Sequence, residues 1–103
     1  LNVPNQGAID GMESGDVVEV SCMVDQDGPH PLPIGAVPDS QRALMQAVKQ
    51  YERLTVRAIS EKSRTLAIRA LMAHPLVVSY SRAKVLVDEY LDAHAAYVGA
   101  WGE

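Results

Sequence analysis

The sequence predicts a mainly α, α+β fold: a three-helix, bundle-like C-terminal part preceded by one or two short β-strands and a proline-rich extended arm. Three observations carry this reading. From Leu44 onward apolar residues recur at steps of three and four, the period of a helix. A Val-rich alternation of period two is confined to residues 16–24. Between these two stretches, Pro29, Pro31, Pro33 and Pro38 are crowded into ten residues (29–38), where they fix φ and remove the N–H groups that a central strand needs.

Residues 1–15 are dominated by turn formers (Pro4, Asn5, Gly7, Asp10, Gly11, Ser14, Gly15), with Val3, Ala8 and Ile9 as anchors, and read as loop. Residues 16–24 read as one strand, with Val18, Val20, Cys22 and Val24 on one side and Val17, Glu19, Ser21 and Met23 on the other. Asp25-Gln26-Asp27-Gly28 is a tight turn, and the arm that follows is extended and excluded from the middle of a sheet. Asp39 or Ser40 caps a first helix over 40–61, whose apolar stripe is Leu44, Val48, Tyr51, Thr55, Ala58 and Ile59. Ser63 caps a short second helix with Leu66, Ala67, Ala70 and Leu71 inward, ended by Pro75 acting on His74. Ser79 caps a third helix marked by Ala83, Leu86, Val87, Tyr90, Leu91 and His94, which fades over 97–99 at Gly99. The apolar faces of helices one and three are expected to form most of the core. The organisation is thus one segment, with an arm over 1–38 and a helical part over 39–103.

Composition narrows the function classes. The chain has 103 residues, 48% of them hydrophobic, enough for one core but not for a cofactor domain plus a substrate domain. Beginning at Leu1 rather than Met, it reads as a piece of something longer. No apolar run approaches the ~20 residues that span a bilayer, and no basic-then-apolar leader opens the chain, so a soluble, cytoplasmic protein without a membrane partner is expected. The single Cys22 calls for no oxidising compartment. Charge is uneven: residues 1–39 carry seven carboxylates and no Lys or Arg, whereas the remainder carries nine basic and six acidic residues. Solvated loops beside an ordinary helical surface account for the split, as does an acidic arm lying on basic helices.

The residues that invite a catalytic reading are mostly structural by pattern. Cys22 alternates with Val20 and Val24 and has no charged neighbour to activate it, which marks a buried thiol. His30, His74 and His94 form no HExxH or HxxxH set, so no metal site is expected within the chain. His74 stands where a helix dipole favours its charged form, and His94 reads as a packing residue. Asp25, Asp27 and Gly28 form a turn rather than a calcium loop. Asp88, Glu89 and Asp92 read as a solvated helix face. Arg42, Lys49, Arg53 and Arg57 make a basic stripe, but Glu52 and Glu61 interrupt it and aromatic residues are few, which argues against nucleic acid. Neither GxGxxG nor GxxxxGK[ST] occurs, so no catalytic, cofactor-binding or metal-ligating residue is assigned.

The first forty residues are nevertheless specific. Asn5-Gln6-Gly7-Ala8-Ile9, then Asp16-Val17-Val18-Glu19-Val20, then Val24-Asp25 through Gly28 to His30-Pro31-Leu32, with Gly35 and Pro38 before the first helix, resemble in order the C-terminal segment of the family 4 glycoside hydrolases. The helical stretches Ala43-Leu44-Met45, Leu54-Thr55-Val56 and His74-Pro75-Leu76-Val77 are similar too. The resemblance departs at Ser21-Cys22, where the family often has proline. It implies the C-terminal part of an NAD- and Mn2+-dependent 6-phospho-β-glucosidase-like enzyme working by redox elimination, outside the two-carboxylate scheme of most glycosidases. It also implies that NAD sits on an N-terminal dinucleotide-binding domain of the same enzyme, and that the metal is held by a Cys and a His upstream, neither of them Cys22. A phosphorylated sugar is then the substrate, and the segment alone is inert. Asn5, Gln6 and Gly7 are the substrate-binding candidates, because amide side chains bond hydroxyls and Gly permits close approach; a turn that only docks the segment is the competing reading. A second function class, a free-standing helical protein-interaction module without catalysis, stays open. A homo-oligomer is expected from unpaired strand edges.

Overall fold

The structure, a computed structural model, describes residues 1–103. In chain order the elements are β1 (Asn2–Pro4), β2 (Val17–Glu19), β3 (Cys22–Asp25), β4 (Gly28–Pro31), α1 (Asp39–Glu61), α2 (Arg64–Ala73), α3 (Tyr80–Ala93) and α4 (Ala95–Val98). The chain divides into two compact units, residues 1–43 and 44–103. The mainly helical fold with a few short strands is as the sequence predicts. No helix is long and apolar enough to cross a membrane.

In the first unit β1 pairs antiparallel with β2 (Asn2↔Glu19, Val3↔Val18, Pro4↔Val17), and β3 pairs antiparallel with β4 (Cys22↔Pro31 to Asp25↔Gly28). Two expectations are corrected here. Residues 2–4 are strand rather than loop: Val3 and Val18 are both buried, and Pro4 sits at the strand's end, at a position whose N–H the ladder does not use. Residues 16–24 form two short strands instead of one, because the neighbour changes from β1 to β4 around Val20 and Ser21. The period-two burial stops at the same place. Val18 and Val20 are buried, whereas Met23 and Val24 lie 64% and 65% exposed on a two-stranded hairpin. Pro29 and Pro31 lie in β4, which has no second neighbour, in keeping with their exclusion from a sheet interior. The hairpin turns at Gln26-Asp27, where the Asp27 N–H donates to Asp25 Oδ1 at 2.8 Å.

In the second unit the caps lie where the sequence puts them. Ser63 accepts from the Leu66 N–H at 3.3 Å and Ser79 from the Arg82 N–H at 3.2 Å. His74 is extended (φ −77°, ψ 131°) ahead of Pro75, which ends α2. The core differs from expectation. Its centre is Ile68 of α2 against Ala83 and Val87 of α3, with Ala67, Leu71, Val77 and Leu91 packed on it. The small Ala83, fully buried, lets two helix backbones approach closely. Of α1 only Ala58 is buried, while Leu44 and Ile59 of its predicted stripe are more than half exposed. Helices two and three, rather than one and three, therefore make the core.

Beyond α4, Gly99 turns the chain with φ +69°, and the last residues return to the α1–α2 corner. The Gly102 N–H donates to Lys62 O (2.9 Å), the Arg64 N–H donates to Gly102 O (3.0 Å), and Ser63 Oγ donates to Glu103 O (3.0 Å). This return seats Trp101 in an apolar groove.

Candidate functional site

Gln6 and Gly7 both carry positive φ (47° and 85°), and the Ala8 N–H closes on Asn5 O at 2.8 Å, so residues 5–8 form a tight turn of the left-handed kind. Glycine adopts that backbone freely, but glutamine does so at a cost of order 1 kcal/mol, and strain of this sort persists only where the surroundings over-determine it. Asn5 supplies the determination. Its side chain is completely buried. Oδ1 accepts from the Ile9 N–H (2.7 Å), and Nδ2 donates to Ile9 O (3.1 Å) and Met12 O (3.2 Å). One amide thus ties the turn to the chain four and seven residues on.

Two further groups clamp the loop. Asp16, also buried, accepts from the Glu13 N–H through Oδ2 (3.0 Å), while its backbone carbonyl takes the Asn5 N–H (2.7 Å). From the other side Ala8 O accepts from Ile34 and Gly35, the Asp10 N–H donates to Gly35 O, and Ile9 and Gly35 form a parallel bridge. Of the three residues singled out in the sequence, Asn5 is turned inward with its amide spent on backbone, and Gln6 and Gly7 are exposed at the tip. At Gly7 no atom lies within 4 Å of where a Cβ would stand, so that face of the tip is open. The buried carboxylate of Asp16 is the structural partner that sequence reasoning did not find. The sequence places it only at the head of the 16–24 strand, where nothing marks its carboxylate as buried.

The titratable residues do not converge. Cys22 is half-buried and its Sγ lies 3.5 Å from Val20 O. His30 Nε2 meets Asp25 Oδ1 at 3.0 Å on the exposed hairpin, and this bond, more than the Asp27 amide, holds the Asp25 carboxyl below its ordinary 3.8. His74 packs edge-on to Tyr51 at 4.8 Å, and its Nδ1 accepts from the Leu76 N–H at 3.2 Å. His94 is an exposed C-cap of α3, not a packing residue. No group of three His, Cys, Asp or Glu side chains is placed to hold a metal ion.

The helical unit is likewise occupied with its own cohesion. Asp88 is more than a solvated carboxylate. It receives Arg64 from α2 and Lys84 from α3, each at 2.7 Å, and these cations hold it below its ordinary 3.8 while Asp88 raises Lys84 above 10.5. Along α1, Arg42 pairs with Asp39, Lys49 with Glu52 and Arg57 with Glu61. An apolar depression is lined by Tyr51, Ala58, Leu71, Tyr90 and Trp101, with the buried Trp101 Nε1 lacking an acceptor.

Known proteins give this geometry a context. The model of the family 4 glycosyl hydrolase C-terminal domain matches residues 1–77. A probable 6-phospho-beta-glucosidase of Bacillus subtilis (strain 168) is 38% identical over 95% of the chain and 22% of its own length. The 6-phospho-beta glucosidase of Thermotoga maritima, solved with manganese, NAD+ and glucose-6-phosphate, superposes with a TM-score of 0.87 at 37% identity, over 98% of this chain and 25% of its own. A 6-phospho-alpha-glucosidase from gut microorganisms, solved with NAD and Mn2+, gives a TM-score of 0.89 at 27% identity, over 99% of this chain and 23% of its own. The chain therefore spans about a quarter of the length of the proteins it matches.

Proposed function

The chain belongs to the family 4 glycosyl hydrolases, as their C-terminal domain, and from that premise we propose that it is the closing portion of a cytoplasmic 6-phospho-glycoside hydrolase of the 6-phospho-β-glucosidase type. In this reading the complete enzyme uses NAD and Mn2+ in a redox elimination, its N-terminal dinucleotide-binding domain is this chain's partner, and the assembled enzyme is a homo-oligomer. One observation carries the division of labour: no three ligating side chains meet anywhere in residues 1–103. In this reading the metal and the dinucleotide are held by residues upstream, and the chain by itself is inert. When bound there, they supply the redox and Lewis-acid chemistry.

What this chain contributes is shape. Asn5 and Asp16 are positioning residues that fix the strained turn, and Gln6 and Gly7 present an amide and an unobstructed backbone to the sugar or cofactor. The test is turnover of a chromogenic 6-phospho-β-glucoside with added NAD and Mn2+. The full-length enzyme is expected to cleave it, the isolated 103-residue chain is not, and turnover by the isolated chain would overturn the reading. In the full-length enzyme Gln6→Ala is expected to raise KM about three- to tenfold, one hydrogen bond's worth. An unchanged KM would leave the turn a docking element only.

A further inference from the structure

The backbone bonds of residues 18–25 alternate between two edges. Val20 exchanges both bonds with Leu1, its N–H donating to Leu1 O (3.1 Å) and its carbonyl accepting from the Leu1 nitrogen (2.7 Å). Val18 opposite Val3 falls two residues earlier on the same edge. Ser21 O, by contrast, accepts from the Leu32 N–H (2.9 Å), which places Met23 opposite His30 and Asp25 opposite Gly28 on the other edge. By the same alternation the N–H and C=O of Cys22 and Val24 point away from β4, along the line that β1 occupies beside β2. No strand covers them there. The outer edge of β4 is closed to pairing in a different way: the outward positions are Pro29 and Pro31, which have no N–H to give.

We propose that the polypeptide preceding Leu1 in the complete enzyme continues β1 along the free edge of β3, so that the residue two before Leu1 lies opposite Cys22 and the residue four before it opposite Val24. This rests on the reading of the chain as one part of a longer enzyme. Three features commit the edge to that occupant. The Leu1–Val20 pair fixes the register, so an extended upstream segment arrives at Cys22 and Val24 with no turn to make. The matched relatives are about four times longer than this chain. The exposed Met23 and Val24 belong to a two-stranded hairpin that a third strand would convert into a sheet of independent stability. The proline-blocked edge of β4 leaves only one side on which that strand can add, and self-association of the enzyme then uses other surfaces.

The experiment is amide hydrogen exchange of the full-length enzyme, resolved to single residues by fragmentation mass spectrometry across a dilution series. Cys22 and Val24 are expected to exchange about 100-fold or more slowly than the turn amide of Gln26, at every dilution. Exchange as fast as Gln26 would overturn the proposal, and so would protection that disappears on dilution, which would assign the edge to a second copy. Val24→Pro supplies a control, because position 24 donates nothing to β4: Met23 should stay protected, and its release counts against the register. Turnover measured on the same enzyme separates the two readings, since an active enzyme with a fast-exchanging Cys22 and Val24 sinks only the strand, and an inactive one with slow exchange sinks only the proposed activity.

Discussion

Replacing Asn5 by Ala removes three hydrogen bonds at once and leaves the Ile9 N–H, Ile9 C=O and Met12 C=O facing a space from which the native side chain excludes water. At about 1 kcal/mol net per bond the loss is about 3 kcal/mol, and the stranded polar groups keep it from being smaller. For a chain of this size that lowers the melting temperature by roughly 12–24 °C. Asn5→Asp sharpens the argument because the shape is kept while two donors become an acceptor aimed at two carbonyls. A carboxyl so placed must hold a proton, which raises its folded pKa above the unfolded value. Its contribution is then fully present below about pH 3.9 and lost as pH rises through the folded pKa. The Asp variant should therefore be far less stable at pH 7 than at pH 4, relative to the parent chain. Urea midpoints at the two pH values, together with exchange at the Ile9 amide, read this out. An Ala variant within 0.5 kcal/mol of the parent, or an Asp variant whose deficit does not depend on pH, would refute the role given to Asn5.

Other expectations concern the turn and the helical core. Gly7→Ala should cost about 1–2 kcal/mol from backbone strain alone, since φ is +85° and the space is open, whereas Gln6→Gly should be neutral or stabilising by up to about 1 kcal/mol; denaturation midpoints decide both. Ile68→Ala should cost about 2–5 kcal/mol and Ala83→Leu about 1–3 kcal/mol, the first by cavity and the second by overpacking at the α2–α3 contact. Asp88, held below 3.8, adds stability that is present above that value and lost as pH falls through its lowered folded pKa, so Asp88→Asn should flatten the acid limb below about pH 4. Lys84 acts with the opposite sign, its contribution being complete below 10.5 and lost as pH rises through its raised folded pKa, so Lys84→Met should flatten the alkaline limb.

The caps of α2 and α3 were legible because their chemistry is local: Ser63, Ser79 and Pro75 each act on a backbone group within four residues, whereas Asp39 and Ser40, expected to cap the first helix, lie inside it. The choice of core was not, because the long stripe on α1 outweighs the short one on α2 as periodicity. What separates them is Ala83, whose small size permits a close α2–α3 approach that no period count registers. Residues 2–4 were misread as loop for a related reason. Three residues of strand leave almost no alternation to detect, and Pro4 argues against a strand until its place beside the β1–β2 ladder is known. At the candidate site the turn residues stood out by type, yet a sequence does not say which way an amide points. Asn5 folds inward onto Ile9 and Met12, so the residue that drew attention shapes the loop and its two neighbours face outward. Trp101 passed unremarked in the sequence, and only the return of Gly102 to Lys62 explains its place in the helical unit.

The central claim is that these residues shape a wall while dinucleotide and cation are held upstream. Titrating Mn2+, followed by its paramagnetic resonance signal, and then NAD+ into the isolated chain puts that claim to measurement. No saturable binding of either is predicted below millimolar concentration, and stoichiometric, saturating uptake of one of them by residues 1–103 would contradict the account.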